Sequence, residues 1–164
     1  MEKERPCAVK NCPNMLSKWV PSRIAICSQH QYLKLELIRG LAKKFDLSAD
    51  DKKFLNLNID DNSYLCCASV LARYLSVPQE TFVGYITRGT ISAEKQNNRW
   101  LISAEEAARV IDFIRNWISV REAAAIAKTS RGTLTFLALE GYFGPARRNL
   151  RGILAIRKEY LPLL

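Results

Sequence analysis

The chain has 164 residues, 48% of them apolar and 25% charged, with a formal net charge of +9 and a single histidine. That length suits one medium domain or two to three small ones, and the composition is that of a globular chain rather than a disordered or fibrous one. It contains no run of about 18 apolar residues, which argues against a membrane span, and one histidine leaves no room for a His-based catalytic triad beside another role for that residue.

The opening "MEKERPCAVK" mixes acids and bases and has no apolar core, so it does not read as a signal peptide. The expectation is an intracellular, cytoplasmic protein. In a reducing compartment, five cysteines point to metal binding or buried thiols rather than a disulfide framework. The charge is uneven. Residues 1–46 hold nine Lys/Arg against four Asp/Glu, residues 47–62 two against four, and residues 116–164 eight against three. A positive field of this size favours an anionic partner, with nucleic acid ahead of a membrane surface or an acidic protein.

The first motif is Cys7 and Cys12, then 14 residues, then Cys27 and His30. Two thiols five positions apart straddle a tight knuckle turn, and a Cys-x2-His pair fits the first turn of a helix. Together they form a Cys3His set of the kind that holds one structural zinc. Pro13, Asn14 and Pro21 keep the intervening loop from forming a helix. The alternative is a group of buried thiols with an incidental histidine. After His30, the residues Leu33, Leu37, Ile38, Leu41 and Phe45 recur at helical spacing and predict one apolar face.

The run "CAVKNC…ICSQHQYLKLE" resembles a treble-clef zinc finger, which implies a knuckle, a β-hairpin and a ligand-bearing helix over residues 1–46. Similar fingers occur in HNH-type nucleases and in phage and bacterial DNA-associated proteins, which suggests a bacterial, phage or mobile-element origin. An HNH active site needs a further histidine and an open metal position. Here the histidine is committed and all four positions are filled by protein, so no enzyme is expected.

Residues 47–62, "LSADDKKFLNLNIDDN", are acidic and show no sustained period. They read as a linker, with Phe54, Leu55 and Leu57 able to pack on a neighbour. Cys66 and Cys67 follow at the start of a predicted helix and read as small buried hydrophobes. Glu105 and Glu106 begin another helix, where acids complement the dipole.

Beyond the linker the sequence repeats at an offset of 52. Ala72 falls on Ala124, Thr81 on Thr133, Phe82 on Leu134, Tyr85 on Leu137, Gly89 on Gly141 and Ile91 on Phe143. Further along, Arg99 falls on Arg151, Leu101 on Ile153 and Ile102 on Leu154. Each copy predicts a helix (about 67–75 and 119–127), a turn, a second helix (about 78–88 and 130–140) ended by Gly89 or Gly141, and a two-stranded hairpin.

"LARYLSVPQETFVGYITRGTI" and "ISVREAAAIAKTSRGTLTFLALEGYF" resemble the excisionase and MerR-like winged helix-turn-helix family, the second copy more fully through its "EAA". The resemblance implies two tandem domains, 63–116 and 117–164, in a mainly α fold with small β-hairpins. It implies double-stranded DNA binding, with the second helix in the major groove and the wing on backbone or minor groove. The expected DNA contacts are Gln79, Glu80, Gly84, Arg88, Lys95, Asn97, Asn98 and Arg99 in the first copy. In the second they are Arg131, Arg147, Arg148 and Arg151. Thr81 and Tyr85 face partly inward by helical spacing.

Two functions stay open. One is a sequence-specific DNA-binding protein, a transcriptional regulator or excisionase-like architectural factor. The other is a zinc-stabilised adaptor that docks on a protein partner through the second winged helix, whose "LTFLALEGYF" is largely apolar. The two copies are expected to form one rigid reader, cemented by Val110, Ile111, Phe113, Ile114, Trp117 and Ile118, because no flexible spacer separates them.

Overall fold

The computed structural model describes residues 4–21 and 24–164. Residues 1–3, where the N-terminal stretch begins, lie outside the described residues. Roughly half the chain is helical, and its three sheets are small and antiparallel.

A two-stranded ribbon, β1 (Arg5–Pro6) and β2 (Met15–Leu16), encloses the first cysteine pair. Its tip is tight because Asn11 takes a left-handed φ of 63° and Cys12 N donates to Val9 O at 3.1 Å. The strands therefore flank the knuckle rather than following it. Helix α1 (Ser28–Lys44) starts at Cys27, and Lys43 and Lys44 in its last turn complement the helix dipole. Its inner face is Lys34, Ile38 and Leu41, with Leu37 and Phe45 half-buried beside them. Leu33, predicted on that face, is exposed. Lys34 holds the inward position instead, because its ammonium donates to Ile59 O at 2.9 Å and pairs with Asp61 at 2.6 Å.

The segment read as a linker is a helix. α2 (Ala49–Asn58) is started by a capping box in which Ser48 and Asp51 bond each other's backbone N–H. Its short apolar face, Phe54 and Leu55 with Ile59 just beyond, is buried in the main core, while Leu57 is exposed. Asp51, almost fully buried, accepts the Tyr74 hydroxyl at 2.6 Å and Arg115 Nε at 3.1 Å. The Phe54 ring stacks on Tyr74 at 4.0 Å. α1, α2 and the helices and strands of the first unit thus share a single cluster, while the residues around Cys7, Cys12 and Cys27 and the second unit keep cores of their own.

Next come two units with one order of elements. The first is β3 (Leu65–Cys67), α3 (Ala68–Tyr74), α4 (Gln79–Thr87), β4 (Glu94–Gln96) and β5 (Arg99–Ser103). Helix α5 (Ala104–Asn116), capped by Ser103, leads into the second. That unit is β6 (Trp117–Ser119), α6 (Val120–Ala127), α7 (Arg131–Leu139), β7 (Arg147–Arg148) and β8 (Leu154–Arg157), closed by a 3-10 turn at Lys158–Leu163. The strand orders match, β3-β5-β4 and β6-β8-β7.

Local geometry repeats too. Ser76 and Lys128 turn their helices off with φ of 56° and 52°, and Gly89 and Gly141 end the next helices with φ of 78° and 84°. Cys66 and Cys67, expected at the start of a helix, close β3, and Cys67 stands at the N-cap position of α3 without a side-chain capping bond.

Strand register corrects the match of the hairpins. Leu65 pairs with Ser103, and its counterpart Trp117 pairs with Arg157. Lys95 pairs with Trp100, whereas Arg148 pairs with Leu154. The returning strand is therefore displaced by two residues, so Leu101 and Ile102 correspond to Ala155 and Ile156, not to Ile153 and Leu154. Arg151 is no counterpart of Arg99. The cause is loop length: Asn97–Asn98 close the first hairpin in two residues, while residues 149–153 close the second.

The two units pack together. Val110 and Ile111 sit in the main core, and the Phe113 ring stacks on Trp117 at 5.3 Å. Leu150, from the second hairpin loop, is buried in the main core with the first unit. Arg157 reaches Asp46 at 3.3 Å and Asp112 at 3.9 Å, tying β8 to the end of α1 and to α5.

Candidate functional site

Two features gather chemistry-bearing side chains. The first is the Cys/His cluster, whose ligand atoms from Cys7, Cys12, Cys27 and His30 lie within 4.8 Å of one another. Cys12 and Cys27 sulfurs are 4.0 Å apart, and His30 Nδ1 is 3.1 Å from Cys27 Sγ and 3.6 Å from Cys7 Sγ. A tetrahedral ion with bonds of about 2.3 Å to sulfur needs ligand separations of about 3.8 Å. The four groups therefore fit one metal ion.

The chain also supports the ligands. Cys27 N donates to Cys7 Sγ at 3.3 Å, and Asn14 Nδ2 donates to Cys27 Sγ at 3.4 Å. The Asn14 amide, joined by the His30 backbone N–H, holds the Cys27 thiol down to about 6, so a thiolate stands ready at neutral pH. Sequence reasoning used Asn14 only as a helix breaker. Its place two residues after a ligand cysteine, where a side-chain amide can reach sulfur, was the available signal.

The second feature is the α4 surface with the β4–β5 hairpin. Gln79, Glu80 and Arg88 are exposed, Gly84 is half-exposed, and Tyr85 faces the core. A Cβ on Gly84 would meet only the Arg88 guanidinium at 3.7 Å, so the protein's own packing does not require glycine there. Arg88 donates from Nε to Gly84 O at 3.2 Å and lies over the Tyr85 ring. In the hairpin, Lys95, Asn97, Asn98 and Arg99 are all exposed. Asn97 and Asn98 both have positive φ, 47° and 61°, as a two-residue hairpin turn demands. Thr87 and Gln96 are exposed on the same elements and were not singled out from the sequence.

The second unit places its predicted contacts differently. Arg131 is exposed at the start of α7. Arg147 lies over the Trp117 ring at 5.8 Å, and Arg148 donates to Gly152 O at 2.8 Å, bracing its own loop. Arg151 is turned to the first unit, lining one cavity with Val77 and Tyr85, and the nearby Tyr85 side chain raises its pKa above the ordinary arginine value.

No family model matches this chain, and no curated protein or solved structure matches it. Among the described residues, no helix is long and apolar enough to cross a membrane.

Proposed function

We propose that this chain is a sequence-specific double-stranded DNA-binding protein, a transcriptional regulator or excisionase-like architectural factor, read out by the first βααββ unit. The observation that carries this reading is the pairing, within one unit, of a polar exposed helix with a basic exposed hairpin. α4 presents Gln79, Glu80 and Arg88 around the bare backbone of Gly84, and the hairpin presents Lys95, Asn97, Asn98 and Arg99. In a winged helix-turn-helix reading, α3 and α4 are the helix pair. Gln79 and Glu80 then meet base edges, and Arg88, Lys95 and Arg99 meet phosphates. Gly84 supports close approach: its helix-propensity cost of up to about 1 kcal/mol has no return inside the fold.

The Cys3His cluster holds one zinc ion in this reading. Three thiolates and an imidazole in tetrahedral reach are a soft, closed donor set that suits zinc and leaves no open position for catalysis. The zinc is structural: it organises residues 4–21 and 24–27 against α1, which is itself part of the main core. Binding of fluorescent duplex DNA by the full chain, compared with Arg99→Ala and Arg88→Ala, tests the proposal. Both changes remove exposed side chains, so weaker binding with an unchanged thermal melt supports it, and unchanged binding refutes it.

A further inference from the structure

We infer that the outer face of α7 is a docking surface for an amphipathic helix on an acidic protein partner. The case rests on the internal repeat, which lets one unit serve as a control for the other. At the offset of 52, Gly84, Thr87 and Thr90 of the first unit correspond to Phe136, Leu139 and Tyr142 of the second. Both helices occupy the same place in the same order of elements. Where α4 is small and polar, α7 is large and apolar, and those side chains are outside: Phe136 is 61% exposed, Leu139 67% and Tyr142 70%. The second unit does not need them for its own core, which α7 supplies through Leu134 and Ala138. Single exposed apolar side chains are ordinary, but Phe136 and Leu139 one turn apart at the end of α7, with Tyr142 just past the Gly141 stop, mark a binding face.

The chemistry selects the occupant. The Phe136 and Leu139 side chains have no hydrogen bond to give a phosphate, and only the Tyr142 hydroxyl could, so this face suits DNA poorly beside the polar α4 surface. A row with i, i+3 spacing is matched by apolar residues at i, i+3, i+4 and i+7 of a facing helix. The exposed charges of α6, α7 and the turns beside them are Arg121, Lys128 and Arg131 against Glu122 and Glu140, a net positive surround that an acidic helix complements and a second copy does not. The inference is independent of the DNA reading, since it uses a different helix and no residue of the α4 surface.

The test uses the full chain and a fluorescent synthetic peptide of about five helical turns, with Leu on an i, i+3, i+4, i+7 face and Glu elsewhere. A scrambled peptide of the same composition is the control. The patterned peptide should bind saturably, and Phe136→Gln with Leu139→Thr should weaken it about tenfold while the thermal melt is kept. Equal binding of both peptides, or undiminished binding by the double variant, overturns the inference. So does a concentration-dependent dimer in light scattering that the double variant abolishes, which would give the face to a second copy. Loss of duplex DNA binding in the double variant would give it to DNA and overturn the inference equally.

Discussion

Asp51 on α2 and Arg115 on α5 meet at 3.1 Å, with the Asp51 carboxylate almost wholly buried and the Arg115 guanidinium partly in solvent. The same carboxylate accepts the Tyr74 hydroxyl and the Ser48 backbone N–H. One acid thus joins the segment after the finger to α3 of the first unit and to the connecting helix α5.

Replacing Asp51 with Ala strands the Tyr74 hydroxyl and the Ser48 backbone N–H, while the residue-51 N–H keeps its bond to Ser48 Oγ. The expected loss is about 2–4 kcal/mol, mostly from those two orphaned donors, with little from the half-exposed Arg115. Asp51→Asn should cost less, because an amide oxygen still accepts. Urea denaturation of both variants checks this order; equal stability of wild type and Asp51→Ala would show that residues 47–62 are a passive linker after all.

Purified protein should contain one zinc per chain by elemental analysis, and Cys12→Ser should lose it. Because Ile38 and Leu41 anchor α1 in the main core, chelation should free the backbone of residues 4–21 and 24–27 while leaving α1 helical. Hydrogen exchange before and after chelation reads this directly. Acid should act in the same direction. The folded Cys27 value is depressed to about 6, so its thiolate persists at neutral pH, and its contribution disappears as pH falls through that value. Zinc release on acidification, followed with a colorimetric chelator, should rise as pH falls, because protons compete with the ion for the thiolates.

The two adjacent thiols in β3 should differ. Burial pushes Cys66 up to about 12, whereas hydrogen bonds around Ser69 bring the partly exposed Cys67 below its ordinary value, against its own desolvation. Iodoacetamide at pH 8 followed by peptide mass spectrometry should label Cys67 and spare Cys66.

The metal cluster was legible because ligand spacing is local: four residues at short separations specify a turn and a helix start. The two helix pairs were legible for the same reason, through glycine stops and cap residues. α2 was missed because an acidic, ten-residue helix with a short apolar face of Phe54 and Leu55 gives almost no periodic signal, although Ser48 and Asp51 spell a capping box. The pairing of Arg99 with Arg151 failed because a lengthened loop in the second hairpin shifts register, and sequence offsets cannot see strand pairing. Leu150 in the first unit's core was invisible, since a leucine in a polar loop has no pattern to announce its destination.

Leu150 gives a further prediction. Leu150→Ala should destabilise the chain by about 2–4 kcal/mol in urea, because it empties a core position between the units. Arg151→Ala should leave DNA affinity within about twofold of wild type, since this side chain faces Tyr85 and lies off the α4 and β4–β5 surface.

The central claim is that the first unit reads duplex DNA through α4 and its hairpin, and a salt series tests it most directly. Affinity of the full chain for a fluorescent duplex is measured from low to moderate salt, alongside Arg99→Ala. A surface neutralising about six phosphates should give a log–log slope of about −5, and Arg99→Ala should lower its magnitude by about one. A flat slope, or a slope that Arg99→Ala leaves unchanged, would contradict the account.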